Sequence, residues 1–365
     1  MKAKVNNKIQ LLGLMSGTSL DGLDIAHVEF DFTDTKKVDF QLLHCKTYPL
    51  ASDLVFSLNQ VFRAAAPDIF ELDQQLAKFF AESVRDFLKN FKLRKENISA
   101  IASHGQTIYH RPELGYTTQI GSGTTLNFLT EIPVIDQFRQ LDVSAGGQGA
   151  PLVPLGDQLL FSNYAEGFLN LGGFANISSS VKGKCQAYDI APANLPMNLW
   201  MNGIGKAYDQ DGQLARQGEP NLEVLKKVLA LSFFHQKAPK SLGTEWLTQS
   251  YLPHFEKLTL PNKLRTHLEV LKTLCIQEFK AMKLKRVLIT GGGAHHQFFI
   301  ELLKEAYPGE ILLPSKEIID FKEALIFAFL GARFLRNETT TLAEVTGARQ
   351  ALRTGILHDF QGRIQ

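Results

Sequence analysis

Apolar and polar positions alternate in short, well-marked runs through the first part of this 365-residue chain. Gln10–Met15 is mostly apolar, Leu23–Phe30 alternates as a half-buried strand does, and Phe40–Thr47 makes a third strand-like run. From about Asp68 to Phe91 the apolar positions recur near every 3.6 residues, which predicts an amphipathic helix. Short strands are expected at Ile98–Ser103 and Ile132–Ile135. Near Gly167 the order restarts. Phe168–Ser178 reads as strand, glycine turn and strand, and Gly183–Ile190 adds another strand. Helices, the strongly apolar run Arg286–Thr290, and helical segments at His295–Tyr307 and Lys322–Leu335 follow. Two halves with the same element order suggest a duplicated α/β unit. The expected domains are 1–165 and 166–365, with the last helices packing back on the first and a ligand cleft between the two.

Composition changes this picture little. The length favours two cores over one. Apolar content of 44% and charged content of 21% describe an ordinary globular chain. A net charge of +2 gives no reason to expect nucleic acid or an anionic membrane as partner. The basic stretch Lys89–Lys95 reads as a solvated helix end. Cys45, Cys185 and Cys275 are odd in number and far apart, which suits reduced thiols. The short apolar run near the N-terminus is broken by Asn6, Asn7, Gln10 and Gly13, so it is not read as a signal peptide. No apolar segment approaches the ~20 residues of a membrane span, and a cytoplasmic location is expected.

Candidate chemistry concentrates at glycines. The segment Ser16-Gly17-Thr18-Ser19-Leu20-Asp21-Gly22-Leu23-Asp24 joins the first two strands. Alone, it is better explained by a hairpin turn than by a phosphate cradle, because glycine, serine and aspartate are the commonest turn residues even though they also serve phosphates. Two more glycine turns, Gly172-Gly173 and Gly291-Gly292-Gly293, also follow strands. Three such turns in a two-half α/β chain favour a nucleotide site over unrelated turns. Neither the phosphate loop Gly-x-x-x-x-Gly-Lys-Ser/Thr nor the dinucleotide fingerprint Gly-x-Gly-x-x-Gly occurs. Asp21 and Asp24 are candidates to hold a hydrated Mg²⁺. Arg139 and Asp142 stand just before Gly146-Gly147-Gln148-Gly149, where they fit either a base and its clamp or a plain ion pair. Ser103-His104-Gly105-Gln106-Thr107 follows a strand and suits sugar hydroxyls, or carries a structural histidine. Glu323 is read as the first turn of an apolar helix, where the helix dipole explains it. His295-His296 lacks partners at zinc spacing.

In this order the motifs resemble the anhydro-N-acetylmuramic acid kinase family of the actin, hexokinase and Hsp70 superfamily. The likeness runs from Gly13–Gly22 through Ser103–Thr107, Phe138–Pro154 and Asn170–Ile177 to Tyr208–Gly212, Pro239–Ser241, Gly291–Ala294, Lys322–Ala324 and Val345–Ala348. It implies two duplicated ribonuclease-H-like α/β domains around a nucleotide cleft. It also implies an ATP- and Mg²⁺-dependent enzyme that opens a 1,6-anhydro muramic sugar with water and phosphorylates O6, a step in recycling cell-wall sugars. By resemblance, Asp142 is the base. Gly17 to Asp24 hold the phosphates and metal, while Gly172, Gly173, Asn176 and Gly291 to Gly293 complete the nucleotide site. Gln106, Arg139 and Glu323 orient the amino sugar, and a homodimer is an open expectation. The chain departs from the family pattern at Gln137, at Ile190-Ala191, at Asn198, across Leu258–Glu269 and at His296. These departures leave two alternatives: a kinase for another small hydroxylated substrate, or an ATP-binding regulatory protein that has lost catalysis.

Overall fold

A computed structural model describes residues 7–17, 20–34, 37–181, 184–238 and 240–364. The chain divides into two units, one of residues 1–160 with 321–365 and one of residues 161–320.

The first unit begins with strands β1 (Lys8–Ser16), β2 (Gly22–Asp31) and β3 (Asp39–Pro49), an antiparallel meander. Then β4 (Ala100–Arg111) lies parallel to β1, β5 (Tyr116–Ile120) pairs with β4, and β6 (Val134–Asp136) lies parallel to β4. The long helix Ala66–Asn90 covers one face. Asp68 accepts the Ala65 N–H at 3.2 Å and fixes the start of this helix. Its Leu72, Leu76, Phe80, Val84 and Phe87 form a buried stripe in one cluster with Leu12, Leu14, Leu23 and Ile25. Fully burying side chains of this size contributes about 1.5–3 kcal/mol each, so this face anchors the first hairpin.

Strands β7 (Gly167–Leu171), β8 (Phe174–Val181) and β9 (Lys184–Pro192) open the second unit as another antiparallel meander. Strand β10 (Arg286–Thr290) lies parallel to β7, and β11 (Glu310–Leu312) parallel to β10. The order β11-β10-β7-β8-β9 repeats β6-β4-β1-β2-β3 in both sequence and direction. The duplication inferred from element order is therefore present strand for strand, and each unit has the ribonuclease-H-like arrangement. The helix Leu260–Ala281 buries Leu264, Leu268, Leu271 and Phe279 in this unit's core.

The remainder of the first unit comes from the chain's end. The expected second domain of 166–365 is shorter: residues 321–365 belong with the first 160, and the division falls inside the helix Lys316–Leu335. A methyl group on Gly13 would lie 1.8 Å from the Ala324 oxygen, so only glycine lets β1 lie this close to that helix. Phe329 of the helix meets Phe30 of β2, ring centroids 5.5 Å apart. Strand β12 (Ile356–His358) then adds to the sheet beside β6, antiparallel. The helix also starts earlier than the sequence predicts. Ser315 accepts the N–H of Ile318 through its hydroxyl at 3.4 Å, and the first turns mix Lys316, Glu317 and Asp320 with Ile318, Ile319 and Phe321. Glu323 consequently sits in the third turn rather than the first, which removes the helix-dipole explanation for it.

Candidate active site

The described residues of the first glycine segment join two antiparallel strands. Ser16 pairs with Leu23, and the Leu20 N–H donates to the Gly17 carbonyl at 3.2 Å with Leu20 at φ 57°. Thr18 and Ser19 lie outside the described residues. Gly22 is packed against β3, where a methyl would come 2.6 Å from the Tyr48 oxygen. Asp21 is exposed on the turn, and half-buried Asp24 accepts a 2.5 Å hydrogen bond from the Thr47 hydroxyl. Among the described residues no group of three or more His, Cys, Asp or Glu side chains is gathered for a metal. A hydrated Mg²⁺ requires only one or two carboxylates, and the exposed Asp21 fits that lesser requirement.

Asp142 occupies the short helix Gln140–Ser144 and is fully buried. Its Oδ2 accepts the Gly149 N–H at 2.8 Å, and its Oδ1 accepts the Thr346 hydroxyl at 2.8 Å. A methyl on Gly147 would lie 2.2 Å from Oδ2, and Gly149 needs φ 67° to turn its N–H inward. The Gln148 N–H donates to the Thr346 carbonyl at 2.7 Å, and the Arg349 N–H to Ala145 at 3.2 Å. The glycine run is thus wrapped around a carboxylate that the chain itself satisfies. Thr346, 204 positions away, was named in the sequence only as part of a motif; nothing local signals its partner.

Arg139 and Gln106 lie in this same unit. Arg139 Nη1 donates to the Gly149 carbonyl at 2.8 Å and Nε to His104 Nε2 at 3.0 Å, and of the two alternatives the plain Arg139–Asp142 ion pair does not form. Burial lowers the Arg139 guanidinium to about 10, with the Glu323 charge opposing the shift; it stays a cation at neutral pH. Burial raises the Glu323 carboxyl above the usual range, against the pull of Lys322 and Arg139. Lys322 beside it is committed to a buried ion pair with Asp157 at 3.0 Å. Gln106 is buried and takes the Ser16 hydroxyl at 2.6 Å, tying β4 to the end of β1. It does not follow the strand as expected: β4 runs through Ser103–Thr107 to Arg111. Gln137, where the family pattern has Asp, adopts φ 55° and reaches the Gln119 carbonyl at 3.4 Å.

In the second unit the two glycine turns come together. The N–H of Asn194 donates to the Gly172 carbonyl at 3.1 Å, and its Nδ2 donates to the Leu171 carbonyl at 2.9 Å. A methyl on Gly291, at φ 81°, would lie 2.5 Å from Asn170 Oδ1 and 2.9 Å from the Leu171 oxygen. One on Gly293 would lie 2.8 Å from Asn194 Oδ1, while Gly292 has no neighbour closer than 3.7 Å. Gly172 is different: a methyl there meets nothing closer than 3.5 Å, so internal packing does not demand glycine. A backbone that must lie against a bulky anion does. Asn176 on β8 pairs across the hairpin with Asn170. Behind the turn, buried His267 donates from Nε2 to the Ala193 carbonyl at 2.8 Å and accepts the Tyr251 hydroxyl at 2.7 Å. Burial lowers its imidazole to about 4. The Ala193 N–H in turn donates to Gly173 at 2.9 Å, so a neutral histidine steadies the turn.

Asp189 on β9 pairs with Asn176. Its Oδ2 accepts the Leu242 N–H at 2.8 Å and the Ser241 hydroxyl at 3.1 Å, and among the described residues no hydrogen bond falls on Oδ1. The side chain is half-buried, and burial raises its carboxyl above the usual range despite those two donors. No local pattern singles out this residue; its signal is its position just before the Ile190-Ala191 departure from the family pattern.

A family model described as anhydro-N-acetylmuramic acid kinase matches residues 9–359. A protein of that name from Legionella pneumophila (strain Paris) is 34% identical over 354 residues, covering 93% of this chain and 95% of its own. One from Vibrio vulnificus (strain CMCP6) is 34% identical over 376 residues, covering 97% and 99%. One from Sulfurimonas denitrificans is 33% identical over 371 residues, covering 95% and 97%. With a match of that breadth, laid on two units of the same strand order, the chain belongs to the anhydro-N-acetylmuramic acid kinase family.

Proposed function

We propose that this chain is an ATP-dependent kinase that opens the 1,6-anhydro bridge of anhydro-N-acetylmuramic acid with water and phosphorylates the released O6. The family match across residues 9–359 carries the reading. The product is N-acetylmuramic acid 6-phosphate, which returns cell-wall sugar to metabolism. ATP supply places this work in the cytoplasm, and no helix among the described residues is long and apolar enough to cross a membrane.

The reaction divides into two bond exchanges. Water attacks the anomeric carbon, a base takes its proton, and the bond from that carbon to O6 breaks. O6 then attacks the γ-phosphorus and ADP departs. Phosphoryl transfer asks the protein mainly for positioning and charge neutralisation. The Gly17–Asp24 turn serves the phosphates, and Gly172, Gly173, Asn176 and Gly291 to Gly293 serve the rest of the nucleotide. Asp21, with Asp24 beside it, would hold Mg²⁺, which when bound neutralises phosphate charge. Arg139, Gln106 and Glu323 orient the amino sugar, the Arg139 cation meeting its carboxylate.

The geometry supports Asp189 rather than Asp142 as the base. A general base must reach the proton it removes and favour holding it. Asp142 is sealed, with both oxygens engaged by Gly149 and Thr346. Asp189 is half-buried, has one oxygen free of hydrogen bonds among the described residues, and has raised basicity. Asp142 then holds the loop that carries the Arg139 acceptor Gly149.

Mass spectrometry of protein incubated with ATP, Mg²⁺ and 1,6-anhydro-N-acetylmuramic acid tests the reading; the 6-phosphate is the expected product. ATP binding without sugar-dependent turnover would replace it with a regulatory role. Turnover of a different sugar alone would replace the substrate.

A further inference from the structure

The Ser103–Thr107 segment holds a device that the reaction scheme leaves unused. Strand β4 pairs with β1 in regular register up to Ser103, then shifts so that Gln106 meets Ser16. The irregularity falls on His104-Gly105, and a bulge re-aims the side chain it carries. Gly105 adopts φ 72°, and its carbonyl lies 2.8 Å from His104 Nδ1. A carbonyl only accepts, so the ring proton sits on Nδ1 and Nε2 presents a lone pair. That lone pair receives the Nε–H of Arg139 at 3.0 Å. The Phe327 ring, its centroid 4.7 Å from the imidazole's, closes the ring in.

We propose that His104 is a positioning residue: as a neutral acceptor it orients the Arg139 guanidinium toward the anionic group of the sugar without cancelling its charge. The proposal rests on the reading of Arg139 as a sugar-binding residue. A carboxylate at this place would orient the guanidinium equally well and would form an ion pair with it. The two groups hydrogen-bonded to Arg139, an imidazole and the Gly149 carbonyl, are both uncharged, and the Glu323 carboxyl acts on it through space without a hydrogen bond among the described residues. Burial, with the Arg139 charge adding to it, lowers the imidazole to about 3, so His104 stays neutral wherever the enzyme works. The Nη2 group takes no part in either bond and is left for the substrate.

Two substitutions separate orientation from mere filling of space. In His104→Gln the amide oxygen reaches the place of Nε2 and accepts from Arg139. In His104→Asn the shorter amide keeps the donation to Gly105 and loses Arg139. We expect His104→Asn to raise KM for the anhydro sugar about tenfold or more, with kcat and KM for ATP little changed, and His104→Gln to stay close to the parent enzyme. Equal effects in both variants, or an effect falling on kcat and ATP alike, would overturn the proposal. A second readout is independent of the sugar. Nitrogen NMR of the intact protein at pH 7 is expected to show His104 protonated at Nδ1 and bare at Nε2. An Nε2-protonated ring would reject the positioning role even if the enzyme turned over the sugar normally. The expected tautomer in a protein inert toward the sugar would instead leave the hydrogen bond standing and locate the failure in the substrate reading.

Discussion

Asp142 is buried on a short helix of the first unit and Asp189 half-buried on β9 of the second, and the chain treats them in opposite ways. The loop after Asp142 folds back so that the Gly149 N–H takes one carboxylate oxygen, and the hydroxyl of the distant Thr346 takes the other. The segment Ser241-Leu242 holds Asp189 by a single oxygen and leaves the other without a hydrogen bond among the described residues. A carboxylate satisfied at both ends organises structure. One held at a single oxygen, under a burial cost, is poised to take a proton.

The largest expected effect breaks or upholds that contrast directly. Asp189→Asn should lower kcat by about 10²–10⁴-fold, the usual worth of a positioned base, with ATP binding retained. Its stability should move the other way. Because burial raises the folded-state value of Asp189, its protonated form is favoured in the fold, and the stability this gives is present at acid pH and lost as pH rises through that value. The asparagine avoids the loss, so thermal unfolding at neutral pH should occur at an equal or higher temperature than in the parent. Asp142→Asn should show the reverse pattern: a loss of about 1–3 kcal/mol, as expected when a buried hydrogen-bond partner is mismatched, with turnover persisting and KM for the sugar raised. A smaller effect sharpens the account. Ser241→Ala removes one donor to the Asp189 carboxylate, so the acid limb of kcat/KM should move to higher pH, while Thr346→Val should leave that limb in place and lower stability. Smallest of all, Gly172→Ala should change thermal stability little, because space for the methyl exists, and should weaken ATP binding in calorimetry.

Much of the scaffold was legible because it is local. The hairpin Gln10–Phe30, the helix from Asp68 and the restart at Gly167 are written as periodicity, and strand for strand the two sheets repeat. What escaped depends on residues distant in sequence. Strand β4 was cut short at Ser103 because His104, Gly105 and Gln106 interrupt the apolar run, yet pairing with β1 and β5 carries the strand to Arg111. The three residues of β12 carry no periodic signal, and only the partner β6 makes them a strand. The chain's return to the first unit was foreseen only as a packing of the last helices, because neighbours in sequence favour a single cut. In the site, the glycine turns and Arg139 stood out by composition. The Asp142–Thr346 bond, the Asn194 bonds to the Leu171 and Gly172 carbonyls and the hold on Asp189 are long-range hydrogen bonds with no local spacing to betray them.

Single-turnover product formation by the parent enzyme, Asp142→Asn and Asp189→Asn, each saturated with ATP, Mg²⁺ and 1,6-anhydro-N-acetylmuramic acid, tests the central claim most directly. The account predicts the 6-phosphate from the parent and from Asp142→Asn, and a rate from Asp189→Asn reduced by orders of magnitude. Normal product from Asp189→Asn, with none from a folded Asp142→Asn, would contradict it.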